Sequence, residues 1–252
     1  MAKIITISSG KGGVGKTFFS INLSRALSKL DYRVLLVDLN LTTPNVSINL
    51  NLGHLENNLH KYLRNEIDDI NKCIIKFKEN FYILPGSLDI NDISFISFER
   101  LHKITLELYN DYDFIIIDSA AGIGRESLEA LKIGEELFII TNYEKSSLVD
   151  AYRVIKVANN LNTNIKGIII NKVKRKINYI KIERFLGKNI YGIIHYDDNV
   201  DKSIENGMTL IDYNINSIAS IDIIKIAEKI TGKDFEETKN ILNVLKNIFR
   251  WR

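Results

Sequence analysis

Residues 10–17 read GKGGVGKT and fit the pattern G-x-x-x-x-G-K-[ST] of a phosphate-binding loop. The run KIITIS at 3–8 predicts a β-strand before the loop, and the stretch 16–30 predicts a helix after it. Glycines at these positions permit tight turns, so that backbone amides can surround an anion at the start of the helix. The candidate nucleotide-phosphate residues are therefore Gly10, Lys11, Gly12, Gly13, Val14, Gly15, Lys16, Thr17 and Phe18.

The rest of the chain alternates apolar runs with amphipathic stretches. Strands are predicted over 3–8, 33–38, 81–84, 114–118, 136–141, 165–171 and 190–194. Helices are predicted over 16–30, 55–65, 99–110, 125–133, 146–160, 179–186, 200–206 and 217–230. Continuous apolar strands separated by helices predict an α/β fold, a doubly wound and mostly parallel sheet with helices on both faces. Ligands of such sheets bind at the carboxyl ends of the strands.

Composition excludes several classes of protein. The single cysteine, Cys73, excludes a disulfide scaffold, a four-cysteine zinc site and a metal cluster held by this chain's cysteines alone, and it is predicted to be buried. The 34 basic and 31 acidic residues nearly balance, which makes no case for nucleic acid. No apolar run has the length of a signal peptide or a spanning helix, so we expect a cytoplasmic chain, soluble or peripheral at a membrane.

Two acidic residues end apolar strands. Asp38 follows VLLV, and Asp118 follows FIII. Carboxylates at the carboxyl ends of parallel strands face the ligand side of the sheet. Thr17 and Asp118 therefore suit a Mg²⁺ site, since Mg²⁺ prefers oxygen ligands, and Asp38 is a third candidate for it.

The second lysine of the loop, Lys11, makes the motif specific. GKGGVGKT resembles the deviant Walker A motif of the MinD/ParA-type ATPases, and most closely that of MinD; the resemblance covers nearly the whole chain. It implies ATP and Mg²⁺ as cofactors, and a homodimer formed with ATP in which Lys11 reaches the partner's nucleotide. It also implies catalytic roles for Lys11, Lys16, Asp38 and Asn40.

The segments that resemble the family's switch regions also depart from it. The first switch usually reads Asp-x-Asp, whereas this chain has Asn40 at the second position. An amide orients water but cannot take its proton, so we expect slow intrinsic turnover. The stretch 118–131 resembles the second switch of MinD, with Ala120 in place of a proline, and 141–156 resembles a helix start at which Ser146 is the predicted N-cap.

The resemblance also implies an adenine site. Asn171 occupies the position that recognises the adenine edge in the family. The stretch 190–211 resembles the family segment that packs on the adenine face, so His195, Tyr196 and Asp197 are candidate contacts with that face. His195 replaces the family's usual proline and is predicted to be a loop residue rather than a catalytic base.

The last residues, 241–252, read ILNVLKNIFRWR. On a helix their apolar and basic residues fall on opposite halves, which is typical of a helix lying in a membrane interface; a helix docked on the chain's own core is the alternative. We therefore expect an ATPase domain at 1–230, a connector at 231–238 and an amphipathic helix at 239–252. The candidate membrane contacts are Ile241, Leu242, Leu245, Ile248, Phe249 and Trp251.

These features predict a MinD-like ATPase that dimerises with ATP, binds an anionic membrane at its cytoplasmic face and positions cellular machinery. Such a switch needs a regulatory protein that stimulates hydrolysis. The alternative is a ParA-like ATPase that binds DNA non-specifically, for which the basic run at 171–188 supplies phosphate contacts. Nucleic acid is the less favoured partner.

Overall fold

The computed structural model describes residues 1–93 and 96–235. Within those residues, eight strands form one sheet in the order β3-β4-β2-β5-β1-β6-β7-β8. Adjacent strands are parallel except for the antiparallel pair β3 and β4. The strands are β1 (Lys3–Ser9), β2 (Val34–Leu39), β3 (Ile75–Lys78), β4 (Phe81–Leu84), β5 (Phe114–Ala121), β6 (Glu136–Asn142), β7 (Ile165–Val173) and β8 (Ile190–His195).

Helices cover both faces of this sheet. On one face, α1 and α10 pack over side chains such as Ile7 and Leu36. On the other face, α4 packs over the neighbouring residues Leu35 and Val37 of β2, and α6 packs over β6 and β7. The helices are α1 (Lys16–Lys29), α2 (Val46–Asn49), α3 (Leu59–Leu63), α4 (Phe98–Leu108), α5 (Arg125–Ile133), α6 (Lys145–Asn160), α7 (Tyr179–Leu186), α8 (Asn199–Glu205), α9 (Leu210–Tyr213) and α10 (Ile218–Thr231).

This arrangement confirms the predicted doubly wound α/β fold. Strands buried on both faces need apolar residues at successive positions, which is why β2 and β5 read as continuous apolar runs. The carboxyl ends of β1, β2 and β5 meet at one edge because the three strands are parallel neighbours. Asp38 on β2 and Asp118 on β5 are paired in register at that edge.

Some local predictions are wrong. Strand β3 was not predicted, because it is only four residues long and its side chains at the sheet edge alternate between partly buried and exposed. The helix predicted over 55–65 is shorter in the structure, where α3 begins after its N-cap, Asn58. The one-turn helices α2 and α9 were not predicted, because such short segments show no clear hydrophobic periodicity. Helix α6 begins at Lys145 after Glu144, so Ser146 lies inside it and is not its N-cap.

The predictions for Cys73, His195 and the C-terminal segment have three different outcomes. Cys73 is fully buried as predicted, and burial raises the pKa of its thiol to about 11. His195 is the last residue of β8 and not a loop residue. The predicted amphipathic helix at 239–252 and the end of the predicted connector lie outside the described residues. Among the residues that the structure describes, no helix is long and apolar enough to cross a membrane.

Candidate functional site

The phosphate-binding loop joins β1 to α1, and its backbone geometry requires glycine. Gly13 and Gly15 have φ of 76° and 94°, a region that favours glycine. A Cβ on Gly15 would lie 2.2 Å from the Nδ2 atom of Asn171, and a Cβ on Gly10 would lie 2.2 Å from the carbonyl of Asp150. The loop therefore passes too close to α6 and β7 for any side chain at these two positions.

Three side chains of α1 converge on Asp118, in the carboxyl-terminal half of β5. The Lys16 ammonium donates to Oδ1 at 3.0 Å, the Thr17 hydroxyl to Oδ2 at 2.6 Å and the Ser20 hydroxyl to Oδ1 at 3.0 Å. Lys16 and Asp118 form an ion pair in which the carboxylate is fully buried. The arrangement gathers a cation, a hydroxyl and a carboxylate directly beneath the loop.

Asp38 has different partners. Its two oxygens accept from the backbone amides of Val46 at 2.9 Å and Asn40 at 3.3 Å. Burial, followed by the charge of Asp118, raises the pKa of Asp38 to about 7 against the opposing effects of these amides and Lys16. The predicted metal residues thus form a contacting pair, Thr17 and Asp118, with Asp38 beside them and bound to its own loop.

The segment after β2 curls over this edge of the sheet. The amide of Asn40 donates to the Thr43 carbonyl at 2.5 Å, and its oxygen accepts from the Thr43 hydroxyl at 3.2 Å. Glu126, in the first turn of α5, accepts from the hydroxyl of Thr42 and, at 3.4 Å, from its backbone amide. The segment after β2, which resembles the family's first switch, is therefore tied to the helix that follows β5.

The end of β7 supports the phosphate loop from outside. Asn171 is buried, donates to the Val14 carbonyl at 2.7 Å and accepts from the Lys172 amide. Lys172 itself has φ of 56°, uncommon for a residue other than glycine, and its ammonium donates to the Gly13 carbonyl at 3.0 Å. Both oxygen and amide of Asn171 are engaged with backbone, and its proposed contact with adenine stays a prediction.

The residues predicted for the adenine face lie at the end of β8. The Nδ1 atom of His195 is 2.8 Å from the Asp222 carboxylate, and the Lys174 ammonium stands 3.7 Å above the centre of the Tyr196 ring. Asp197 accepts from the amides of Asn199 and Ala219, and these bonds lower its pKa in spite of partial burial. His195 is thus fixed by a carboxylate on α10.

One cavity of about 820 Å³ joins the loop to the β8 end. It brings together most of the predicted site residues, whereas Asp38 and Asp118 lie behind its wall. Predicted residues that line it are Lys11, Gly12, Gly13, Val14, Gly15, Lys16, Thr17, Phe18, Asn40, Asn171, His195, Tyr196 and Asp197. Gly10 does not line it and instead lets the loop approach α6.

The sequence predictions missed Ser20, Glu126 and Lys172. Ser20 lies one helical turn after Lys16, so both residues are on one face of α1. This spacing could have identified Ser20 as a candidate site residue. Lys172 follows Asn171 directly, but its left-handed backbone has no sequence signature. Glu126 reaches Thr42 across 84 residues, and no motif spacing signals that contact.

The residues present fit a nucleotide with Mg²⁺. The glycine loop leaves no room for side chains at Gly10 and Gly15, and the cations Lys11, Lys16 and Lys172 line the cavity that it borders. The Thr17 hydroxyl and the Asp118 carboxylate would hold Mg²⁺, directly or through water, because hard oxygen donors are its preferred ligands. A parallel sheet whose first strand runs into this loop and helix defines a P-loop nucleotide-binding protein.

Comparison with known proteins places the chain within this class. Residues 5–211 match the family model described as the CobQ/CobB/MinD/ParA nucleotide binding domain, and the chain belongs to that family. It is 34% identical over 232 residues to an uncharacterized ATP-binding protein of Methanocaldococcus jannaschii, covering 91% of this chain and 88% of the relative. It is 31% identical to the septum site-determining protein MinD of Thermotoga maritima, covering 99% and 98%.

Solved structures agree. The septum site-determining protein MinD of Pyrococcus horikoshii, complexed with Mg-ADP, superposes with a TM-score of 0.85 at 32% identity and covers 92% of this chain and 96% of that one. The resemblance to MinD/ParA-type ATPases and the predicted fold are thereby confirmed. The predicted cofactors, ATP and Mg²⁺, agree with the family and with the Mg-ADP of that MinD.

Proposed function

We propose that this protein is an ATP-hydrolysing, MinD-like switch that dimerises with ATP and binds an anionic membrane through residues 239–252. Hydrolysis then releases it, and a regulatory protein stimulates that step. Lys11 carries the proposal: it lies exposed at the mouth of the cavity, and its ammonium has no ion-pair partner among residues 1–93 and 96–235. An exposed cation beside the phosphate loop supports a contact with the nucleotide of a second copy.

The described residues account for binding and for charge stabilisation. Loop amides and the start of α1 bind the phosphates, and Lys16 lies where it can exchange Asp118 for the β- and γ-phosphate oxygens. Mg²⁺, when bound at Thr17 and Asp118, neutralises charge on the same phosphates. Phosphoryl transfer relies chiefly on such positioning, so these groups suit ATP hydrolysis.

Membrane binding follows from avidity. A single short amphipathic helix binds an interface weakly, whereas two helices joined in a dimer gain from effective concentration, about 10²- to 10⁴-fold in avidity. The apolar residues at 241–251 would contact acyl chains, and Lys246, Arg250 and Arg252 would favour anionic headgroups.

The test is co-sedimentation of the full chain with phosphatidylglycerol-containing vesicles in Mg-ATP and in Mg-ADP. We expect pelleting in ATP only, and loss of pelleting for Lys11→Ala, for Trp251→Glu and for a chain that ends at Thr238. Leu106→Glu is the matched control, since this leucine is exposed on α4 and should leave pelleting intact. Equal pelleting in both nucleotides, or pelleting that survives removal of the tail, would contradict the membrane switch.

DNA binding is a second candidate because the loop after β7 exposes Lys174, Arg175 and Lys176. Arg175 and Lys176 line a groove together with Lys145 and Lys181. The groove also contains the aromatic rings of Tyr143 and Phe185. Exposed cations suit contacts with the phosphates of double-stranded DNA. ATP-dependent retention of double-stranded DNA, lost in Arg175→Ala/Lys176→Ala and weakened by salt, would favour this function over membrane binding.

A further inference from the structure

Hydrolysis of a phosphoanhydride is faster when a group orients the attacking water, and a carboxylate in that place can also accept the water's proton. This inference rests on the proposed ATPase function and asks which residue supplies that group. A carboxylate serves if it reaches the cavity at its phosphate-loop end. The structure allows the carboxylates near the cavity to be compared one by one.

Most of the acidic residues near the loop do not reach the cavity. Asp118 is fully buried and accepts from three side chains of α1, and Asp38 is fully buried with both oxygens on backbone amides. Asn40 lines the cavity, but its amide cannot accept water's proton, and both of its polar atoms are bound to Thr43.

The remaining carboxylates that line the cavity lie at its two ends. Asp197 and Asp201 stand beside β8 and α8, at the end predicted to hold adenine. At the phosphate-loop end, Glu126 is the one carboxylate among the described residues that line this cavity. It stands there with Lys11, Lys16 and Asn40.

Local structure holds Glu126 in this position. It occupies the first turn of α5, and the next residue, Ser127, donates to the Ala120 carbonyl at 3.0 Å and fixes the helix start to the end of β5. The Glu126 carboxylate accepts from the Thr42 hydroxyl, only two residues beyond Asn40. Within the described part of the chain, no cation forms an ion pair with it.

We propose that Glu126 is the catalytic carboxylate that orients the attacking water and takes its proton. The water oxygen forms a bond to the γ-phosphorus as the bond from that phosphorus to the β,γ-bridging oxygen breaks, and one water proton passes to Glu126. Glu126 then returns the proton to solvent, so the products are ADP, phosphate and the released proton. The Thr42 hydroxyl keeps the carboxylate directed at the switch segment until the water is in place.

The test compares Glu126→Gln with Glu126→Ala in the full chain, measuring kcat for ATP and Kd for Mg-ATP. Glutamine keeps an oxygen that can accept from Thr42, so the tie to the switch segment survives while the proton acceptor is lost; alanine removes both. We expect kcat to fall by about 10²-fold in both variants, with Kd unchanged in the glutamine variant. Glu129→Gln, on the same helix but bound to Lys132 and His102, is the matched control.

Two results would overturn the assignment. If the glutamine variant keeps the wild-type kcat and only the alanine variant loses it, Glu126 acts through its tie to Thr42. If the glutamine variant loses Mg-ATP binding together with kcat, its role is structural. A wild-type chain that binds Mg-ATP without hydrolysing it would instead overturn the proposed ATPase function, which the wild-type arm measures separately.

Discussion

Asp38 and Asp118 lie in the carboxyl-terminal halves of the neighbouring strands β2 and β5, are paired in register and are both fully buried, yet their surroundings differ. Asp118 is held by one ammonium and two hydroxyls, and Asp38 by two backbone amides. Burial and the charge of Asp118 raise the pKa of Asp38 to about 7. The same sequence pattern thus produces a carboxyl group held by a cation and two hydroxyls on one strand and a carboxyl group with a raised pKa on the next.

Strand order explains the difference. β5 lies beside β1, so the loop and helix that follow β1 carry Lys16, Thr17 and Ser20 to the end of β5. β2 lies one strand further out and is contacted by its own following segment, which offers Asp38 only amides. Two buried carboxyl groups side by side do not both ionise easily, and the pKa of Asp38, the one without the cation, is raised.

Removing the Lys16 ammonium should have the largest effect on the difference between the two carboxyl groups. Lys16→Met leaves Asp118 buried and without its ion-pair partner, next to a second carboxyl group. We expect the free energy of unfolding at neutral pH to fall by about 3–5 kcal/mol, the usual cost of removing one partner of a buried pair. Urea denaturation followed by circular dichroism measures it.

Lys29→Met is the control, because this lysine lies in the last turn of the same helix. It should change the free energy of unfolding little, since charges near a helix C-terminus contribute about 0.3–1 kcal/mol. Equal effects of the two variants would mean that the Lys16 ion pair adds nothing to stability and that the difference between the two carboxylates has another origin.

Asp38→Asn tests the other carboxyl through pH. In the unfolded chain the Asp38 carboxyl has its ordinary pKa of 3.8, and in the folded chain about 7, so between these values the folded state binds the extra proton. Stability therefore falls as pH rises through this window, by a few kcal/mol at most, since one pKa unit corresponds to about 1.4 kcal/mol. The asparagine variant should lose less stability over the same range.

Urea denaturation at about pH 5 and about pH 8 measures the slope. Asp113→Asn is the matched control, because its carboxylate is exposed and accepts from the Arg33 amide just before β2. It should keep the wild-type slope. An Asp38→Asn variant with the wild-type pH dependence would show that Asp38 does not hold the proton.

The same two residues show what the sequence predicted and what it left open. The fold was predicted from the motif at 10–17 and from the apolar strands that carry Asp38 and Asp118. The proximity of the main site residues was predicted as well, because parallel strands end at one edge of the sheet. The sequence did not distinguish the two carboxyls, because their difference depends on which strand lies beside β1. That order is a property of the assembled sheet.

Contacts between distant segments were missed for the same reason. Glu126 meets Thr42 and Lys172 meets Gly13 across 84 and 159 residues, and neither pair shares a motif. The failed N-cap at Ser146 is a different case. Serine is a good cap, but the turn after β6 starts the helix at Lys145, and tertiary context overrides local preference.

The smallest expected effect concerns the hydroxyl of Ser20, which shares its proton between Asp118 and the Lys16 carbonyl, each 3.0 Å away, and has no counterpart at Asp38. Ser20→Ala should lower the free energy of unfolding by about 1.5 kcal/mol, since hydrogen bonds to charged groups contribute more than neutral ones. Ser24→Ala is the control: this serine is equally buried one turn later, but its hydroxyl donates to the Ser20 carbonyl inside the helix.

The control variant should be close to neutral, because alanine is the better helix former and a hydroxyl bonded to a carbonyl four residues earlier adds little to helix stability. Equal losses in both serine variants would mean that burial alone sets the cost and that Lys16 and Thr17 suffice to hold the Asp118 side chain. A loss confined to Ser20→Ala would show that a neutral hydroxyl adds to the cation in separating the two carboxylates. The position of the Asp118 carboxyl group would then depend on Ser20 as well as on Lys16 and Thr17, the two residues of α1 that are predicted to contact the nucleotide and Mg²⁺.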